Sequence, residues 1–175
     1  MIVSLRECCL VVHVNAPQDN KMDKIADAYN RFCEKRFPLP SEFQVANLER
    51  KMGVPLPTDY RQFILTFNGG YFSEPDIVPP SDKCPLDGLT FLSGIGASHH
   101  SAELDWPPVL GSLRDNDPPQ ILPIGYTLMG NLLFVVAHPK GLGRIGLKVK
   151  FSDDSYFLAD GIASFFGLLR EPEDE

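Results

Sequence analysis

Tyr60, Phe63, Ile64 and Phe67 stand at positions i, i+3, i+4 and i+7 of one short stretch, and Asn68-Gly69-Gly70 follows at once. Four large apolar side chains at that spacing share one face of an α-helix, and that face has to be buried. The asparagine and the two glycines let the chain leave the helix abruptly, because these residues tolerate left-handed backbone. Any fold for this chain must therefore offer an apolar surface to this helix and a tight exit from it.

The remaining periodicities say where that surface comes from. Ile25, Ala28, Tyr29 and Phe32 recur at helical spacing among charged residues, which predicts a helix over 23–36, broken by Pro38 and Pro40. Ser41 and Gln44 have the S-x-x-Q form of a capping box. Val45, Leu48 and Met52 then form an apolar stripe, and Gly53 is placed to end this second helix. Downstream the period changes: 89–92, 121–126 and 131–137 read as short strands, with a turn at Gly130. Ile145, Leu147, Val149 and Phe151 alternate with Gly146, Lys148 and Lys150, which predicts a strand over 145–151 with one wet face. Asp153-Asp154 marks a turn and 156–159 a closing strand. Asp160 is placed to cap a last helix that faces inward through Ile162, Phe165, Phe166 and Leu169. The order predicts an α+β fold: an antiparallel β-sheet meander with N-terminal helices and one C-terminal helix packed against it.

Composition bounds the function. With 175 residues, 43% apolar and 22% charged, the chain suits one folded domain with a real core. No run approaches the roughly 18 apolar residues that a membrane-crossing helix needs. The short apolar run 8–14 follows Arg6 and Glu7, with no small-residue cleavage site after it, so the expected location is cytoplasmic. Met22 reads like a natural start, which sets 1–21 apart as an N-terminal extension to a domain spanning 22–170. Cys8, Cys9, Cys33 and Cys84 have neither C-x-x-C spacing nor the density of a disulfide scaffold, and Cys8-Cys9 reads as two half-buried thiols in a strand.

Charge and proline are unevenly spread. The segment 73–120 holds eight of the sixteen prolines, and eight acids against Lys83 and Arg114, a net of −6. The acidic tail 171–175 adds −4 to an overall −7, which leaves the rest of the chain near +3. Proline at this density breaks long helices and central strands, and the short strand 89–92 interrupts the segment. Ile77, Trp106, Val109 and Leu113 need cover, so the segment is an elaborated insertion and not a linker. The acidic balance argues against direct nucleic-acid binding, which requires phosphates to be neutralised, and a polarised molecule steers charged partners instead.

Three motifs carry chemistry in principle. Gly141-Leu-Gly143-Arg-Ile-Gly146 matches G-x-G-x-x-G, but a strand pattern follows it, and pyrophosphate binding needs a helix N-terminus there. It reads as a hairpin turn. His99, His100, Glu103 and Asp105 have metal-ligand chemistry, yet they sit in a polar loop with no second ligand group elsewhere, and His13 and His138 are isolated. Ser93-Gly94 and Ser98-His99 do not form a nucleophile elbow. The expectation is a chain with no catalytic residue, cofactor or metal, in which the single tryptophan, Trp106, stands among acids where binding hot spots are found.

One combination is more specific. Glu49 to Gly53, Leu56-Pro57, Asp59-Tyr60, Phe63-Ile64 and Asn68-Gly69-Gly70 resemble the signature of the SUKH superfamily, which reads E-x-x-x-G, L-P-x-D-Y-x-x-F-L and N-G-G. Leu122-Pro123-Ile124-Gly125 with Gly130-Asn131, and Leu158-Ala159 with Ser164-Phe165-Phe166, resemble its later pieces, so the likeness covers about 23–170. The long proline-rich 73–120 segment and residues 1–21 depart from a minimal member.

The resemblance implies a non-enzymatic protein-binding domain. In bacteria it would be an immunity protein that binds a basic toxin domain, of nuclease or deaminase type, and neutralises it. The alternatives are a regulatory scaffold similar to the yeast cell-wall-synthesis regulator and a hydrolase built on the His99–Asp105 cluster. On the first reading Leu56, Pro57, Asp59, Tyr60, Phe63, Asn68, Gly69 and Gly70 are architectural. The expected partner surface is then Glu103, Asp105, Trp106, Asp115 and Asp117.

Overall fold

Helices come first in the computed structural model, which describes residues 19–79, 81, 84–97, 103–104 and 121–172, of Asp19 and Asn20 the backbone alone. Helix α1 (Asp19–Phe32) turns Ile25, Tyr29 and Phe32 inward, α2 (Glu42–Met52) buries Val45, Leu48 and Met52, and α3 (Thr58–Thr66) buries Tyr60, Phe63 and Ile64. The start of α2 is a full capping box. Ser41 Oγ accepts from the Gln44 N–H at 3.3 Å, and Gln44 Oε1 accepts from the Ser41 N–H at 2.9 Å. Gly53 ends α2 at φ 77, its N–H donating to the Glu49 carbonyl at 2.9 Å.

Strands β1 (Cys33–Arg36), β2 (Gly70–Phe72), β4 (Leu89–Leu92), β5 (Ile121–Thr127), β6 (Leu132–Val136), β7 (Ile145–Lys148) and β8 (Ser155–Ala159) form one seven-stranded sheet in that spatial order, each pair antiparallel. A second, two-stranded ribbon pairs β3 (Asp76–Ile77) with β9 (Leu169–Arg170), and α4 (Ile162–Phe166) lies between β8 and β9 in the chain. The α+β architecture, with helices before the sheet meander and one after it, is the one expected from the periodicities.

Three local expectations need correction. The helix foreseen over 23–36 stops at Phe32, and 33–36 pair with β2 instead. Glu34, Lys35 and Arg36 are good helix formers, but a sheet edge that offers hydrogen-bond partners outweighs propensity. The strand foreseen over 145–151 ends at Lys148. Phe151 sits in the β7–β8 turn at φ 62, 96% exposed, and Gly146 is buried beneath the Phe134 ring rather than facing water. Asp160 does not cap α4. Gly161 is the capping residue with no side-chain bond, while Asp160 pairs with Arg144 Nε at 3.4 Å, and Leu169 is buried from β9, not from the helix.

Among the described residues, the four helices and the inner face of the sheet share one apolar cluster, from Ile25 to Leu169. Aromatic rings join its halves: Tyr29 meets Phe72 at 5.9 Å, and Phe63 meets Phe166 at 5.5 Å. Each of these fully buried side chains contributes roughly 1.5–3 kcal/mol. On the opposite face, register places Lys35, Tyr71, Phe91, Tyr126, Leu132, Lys148 and Ser155 in one row across the sheet, with Tyr71, Phe91 and Tyr126 half-buried ring against ring.

Candidate functional site

The residues that carry the sequence signature converge where α3 ends. Asn68 is fully buried at φ 59, a left-handed backbone that asparagine tolerates better than most residues. Its Nδ2 donates to the carbonyls of Pro38 and Ile95, the latter at 2.8 Å, and its Oδ1 accepts from the Ile95 N–H at 2.9 Å. One side chain thus ties the α1–α2 connection to the loop after β4. Gly69 follows at φ 74, and a Cβ there would lie 2.5 Å from the Leu92 carbonyl oxygen; at Gly70 it would lie 2.6 Å from that of Lys35 and 2.7 Å from Cys33 Sγ. A Cβ on Gly94 would fall on the Asn68 carbonyl oxygen. Three backbones therefore cross without side chains between them.

The entrance to α3 is fixed in the same manner. Glu49 Oε1 accepts from the Leu56 N–H at 3.0 Å and meets Arg61 Nε at 3.4 Å, while Arg61 also reaches Glu42 at 2.6 Å. The Glu42 hydrogen bond is the main reason the Arg61 guanidinium holds its proton even more firmly than usual. Leu56 and Pro57 are buried, Tyr60 and Phe63 almost wholly so, and Asp59 pairs with Lys21 at 3.1 Å on the surface. The Tyr60 hydroxyl is buried with no hydrogen-bond partner among the described residues, and that burial drives its pKa far above the usual tyrosine range. Among these residues the polar atoms of Glu49 and Asn68 serve the backbone. They hold the scaffold together.

Sequence reasoning missed two members of this arrangement. Tyr29 Oη donates within reach of two carbonyls, Phe67 at 2.9 Å and Gly69 at 2.5 Å, so α1 clamps the exit turn. Burial, and then its hydrogen bond to Cys33, pushes the Tyr29 pKa up, and burial also raises that of the Cys33 thiol. Gly94 is the other. Its signal, a glycine following a strand, is too common to single it out.

Of the expected partner surface, Glu103 is described, whereas Asp105, Trp106, Asp115 and Asp117 lie outside the described residues, as do His99 and His100. Glu103 Oε1 accepts from the Gly96 N–H at 2.7 Å, Glu103 bridges Gly94, and Leu104 beside it is fully buried with its N–H on the Gly94 carbonyl at 3.0 Å. Glu103 therefore helps root the insertion with one carboxylate oxygen. Among the described residues no group of three or more His, Cys, Asp or Glu is placed to hold a metal ion, and no helix is long and apolar enough to cross a membrane. The glycines of 141–146 form a 3-10 turn (Pro139–Gly141) leading into β7, where a dinucleotide site would have a helix. A cleft of about 400 Å³ opens where the first turns of α1, α3 and α4 meet, lined by Lys21, Met22, Thr58, Asp59, Gln62 and Ile162 among others.

Comparison with known proteins gives one match. The sequence model described as "SMI1 / KNR4 family (SUKH-1)" matches residues 39–167, a span that runs from the turn before α2 to the end of α4. No curated protein and no solved structure matches.

Proposed function

The chain belongs to the SMI1 / KNR4 family (SUKH-1), and from that membership we propose that it is a non-enzymatic protein-binding domain, acting as an immunity protein that neutralises a basic toxin domain of nuclease or deaminase type. The observation that carries this reading is the way the signature residues are used. Asn68 and Glu49 direct their polar atoms to backbone groups, and Gly69, Gly70 and Gly94 are close-approach points. A group fully engaged in holding loops together is not available to activate a substrate.

Contact with the partner then falls to the acidic insertion, through Glu103, Asp105, Trp106, Asp115 and Asp117. Its anchor favours this role: Leu104 is buried and Glu103 is tied to Gly96. Carboxylates facing a basic nucleic-acid enzyme replace the phosphates it normally meets, and their field accelerates encounter. Protection of a cell calls for affinity on the order of nanomolar, about −12 kcal/mol.

The test is co-expression with a toxin domain encoded beside this chain, followed by titration calorimetry on the purified pair over a series of salt concentrations. Rescue of growth, nanomolar binding and a salt slope that shrinks in the Asp115→Lys, Asp117→Lys double variant support the proposal. Unchanged affinity and slope in that variant exclude the surface. Turnover of a small molecule by the purified chain, abolished by one substitution, excludes the function.

A further inference from the structure

The two edges of the large sheet are built differently. At β1 the outer strand reads Cys-Glu-Lys-Arg, with Glu34, Lys35 and Arg36 all exposed. Charge along an edge strand discourages another strand from pairing there. At β8 the outer strand reads Ser-Tyr-Phe-Leu-Ala, with no charge and no proline. Among the described residues it pairs with β7 alone. An edge strand presents a row of backbone N–H and C=O groups to any strand that reaches it, and no residue within this one repels a newcomer. Tyr156 and Leu158 pack on the core, while Phe157 between them stands opposite Gly146 in the register and is 48% exposed. The Arg144 guanidinium lies 3.8 Å from its ring. That half-covered aromatic is an anchor for side chains of an added strand.

Charge at the two ends of β8 selects the occupant. Asp153 and Asp154 precede the strand and Asp160 follows it, all three exposed. Asp160 approaches Arg144 Nε at 3.4 Å yet stays 91% exposed, open to a second cation. Of the nearby lysines, Lys150 rests over the Phe151 ring at 5.0 Å. Lys148 faces Ser155 from β7, two strand spacings or about 10 Å from an added strand, where salt largely screens it. A second copy of the chain is a poor fit. Antiparallel pairing of two β8 strands centred on Phe157 sets Ser155 opposite Ala159, and so brings Asp154 beside Asp160, carboxylate against carboxylate. A strand that ends in Lys or Arg meets an opposite charge at both ends, whichever way it runs.

We infer that the β8 edge is a docking site for an extended segment of a partner protein, uncharged in its middle and basic at its ends, which adds to the sheet as a further strand over Phe157. Assigning that segment to the basic toxin domain rests on the function proposed above. The edge would then act beside the acidic insertion as a second point of contact.

Two measurements on the full chain decide it. The first is hydrogen–deuterium exchange with a peptide of alternating valine and threonine that carries arginine at both ends. At about 1 mM this peptide should slow exchange across 155–159 by about fivefold or more, with β5 and β6 unchanged. The same peptide ending in glutamate should have no effect, and the Asp153→Lys, Asp160→Lys double variant should lose the response to arginine. No slowing by the arginine peptide, or equal slowing by both peptides, overturns the inference. So does a dimer in sedimentation with 155–159 already protected, which assigns the edge to a second copy. The second measurement is calorimetry with the co-expressed toxin domain, where the double variant should bind about tenfold more weakly. Full binding by that variant overturns the docking assignment and leaves the immunity reading standing. No binding by the unaltered chain defeats that reading, while peptide protection of 155–159 still upholds the edge site.

Discussion

Replacing Asn68 with alanine tests the claim that the signature turn is a structural staple. Alanine removes three hydrogen bonds, and two of the groups it strands, the Ile95 carbonyl and the Ile95 N–H, are buried. An unpaired buried backbone group costs about 1–3 kcal/mol. Alanine must also adopt φ near 59, which adds about 1 kcal/mol because the left-handed region penalises a Cβ. The Pro38 carbonyl belongs to an exposed residue and can turn to water, so it adds little. The two stranded groups and the backbone together give an expected loss of about 3–7 kcal/mol. With a denaturant slope near 2 kcal/mol per M, the urea midpoint followed by circular dichroism should fall by about 1.5–3.5 M, with the slope unchanged. Asn68→Gly relieves the backbone but leaves the same groups unpaired, so it should recover only about 1 kcal/mol. A midpoint shift below about 0.5 M for Asn68→Ala, or full recovery in Asn68→Gly, would refute the reasoning.

Other positions separate conformation from space. Gly53 and Gly69 both have positive φ, but a Cβ at Gly53 meets nothing within 4 Å whereas at Gly69 it meets the Leu92 backbone. Gly53→Ala should cost about 1 kcal/mol in thermal or urea melts, while Gly69→Ala should fail to give a cooperative transition. At Gly146 the obstacle is the Phe134 ring, so Gly146→Ala should lose about 1–3 kcal/mol and Phe134→Leu should restore part of it, a coupling that a double-mutant cycle measures. Stability should also fall in alkali. The Cys33 thiol and the Tyr29 phenol are raised from ordinary values of 9.0 and 10.0, chiefly by burial, so above pH 9.0 the unfolded chain gives up protons that the fold retains. Their contribution is complete below pH 9.0 and declines as pH rises beyond it. Urea midpoints that stay level or climb between pH 9.0 and pH 11 would contradict that assignment of causes, and Cys33→Ser should soften the early part of the decline.

What the sequence made legible is what local spacing encodes. Ser41 and Gln44 are three residues apart, so the capping box could be read without knowing anything distant, and the stripe of Tyr60, Phe63 and Ile64 identified both a helix and its buried face. The elements that escaped depend on partners far along the chain. Cys33–Arg36 continues a helical charge pattern and becomes a strand because Gly70 and Tyr71 lie alongside, and β3 and β9 are two-residue strands joined over a separation of more than ninety residues. Phe151 kept the alternation of β7 in sequence, while the turn set by Val149, Ser152 and Asp154 took it out of the sheet. The scaffold residues of the candidate site were readable for the same local reason. Tyr29, thirty-eight residues from the carbonyl it clamps, was readable only as a core aromatic.

The structural staple and the proposed recognition surface are mechanically connected. Asn68 holds both backbone groups of Ile95, Gly96 next to it donates to Glu103, and Leu104 is buried against the same strand end through Gly94. Within the acidic segment 73–120, the backbone at 94–96 is thus held by the signature residues. On the proposed reading, a fixed backbone at 94–96 lowers the conformational entropy that binding would cost at this point of the chain. This gives a physical reason for a family signature made of buried asparagine and glycine in a domain proposed to act through its exterior.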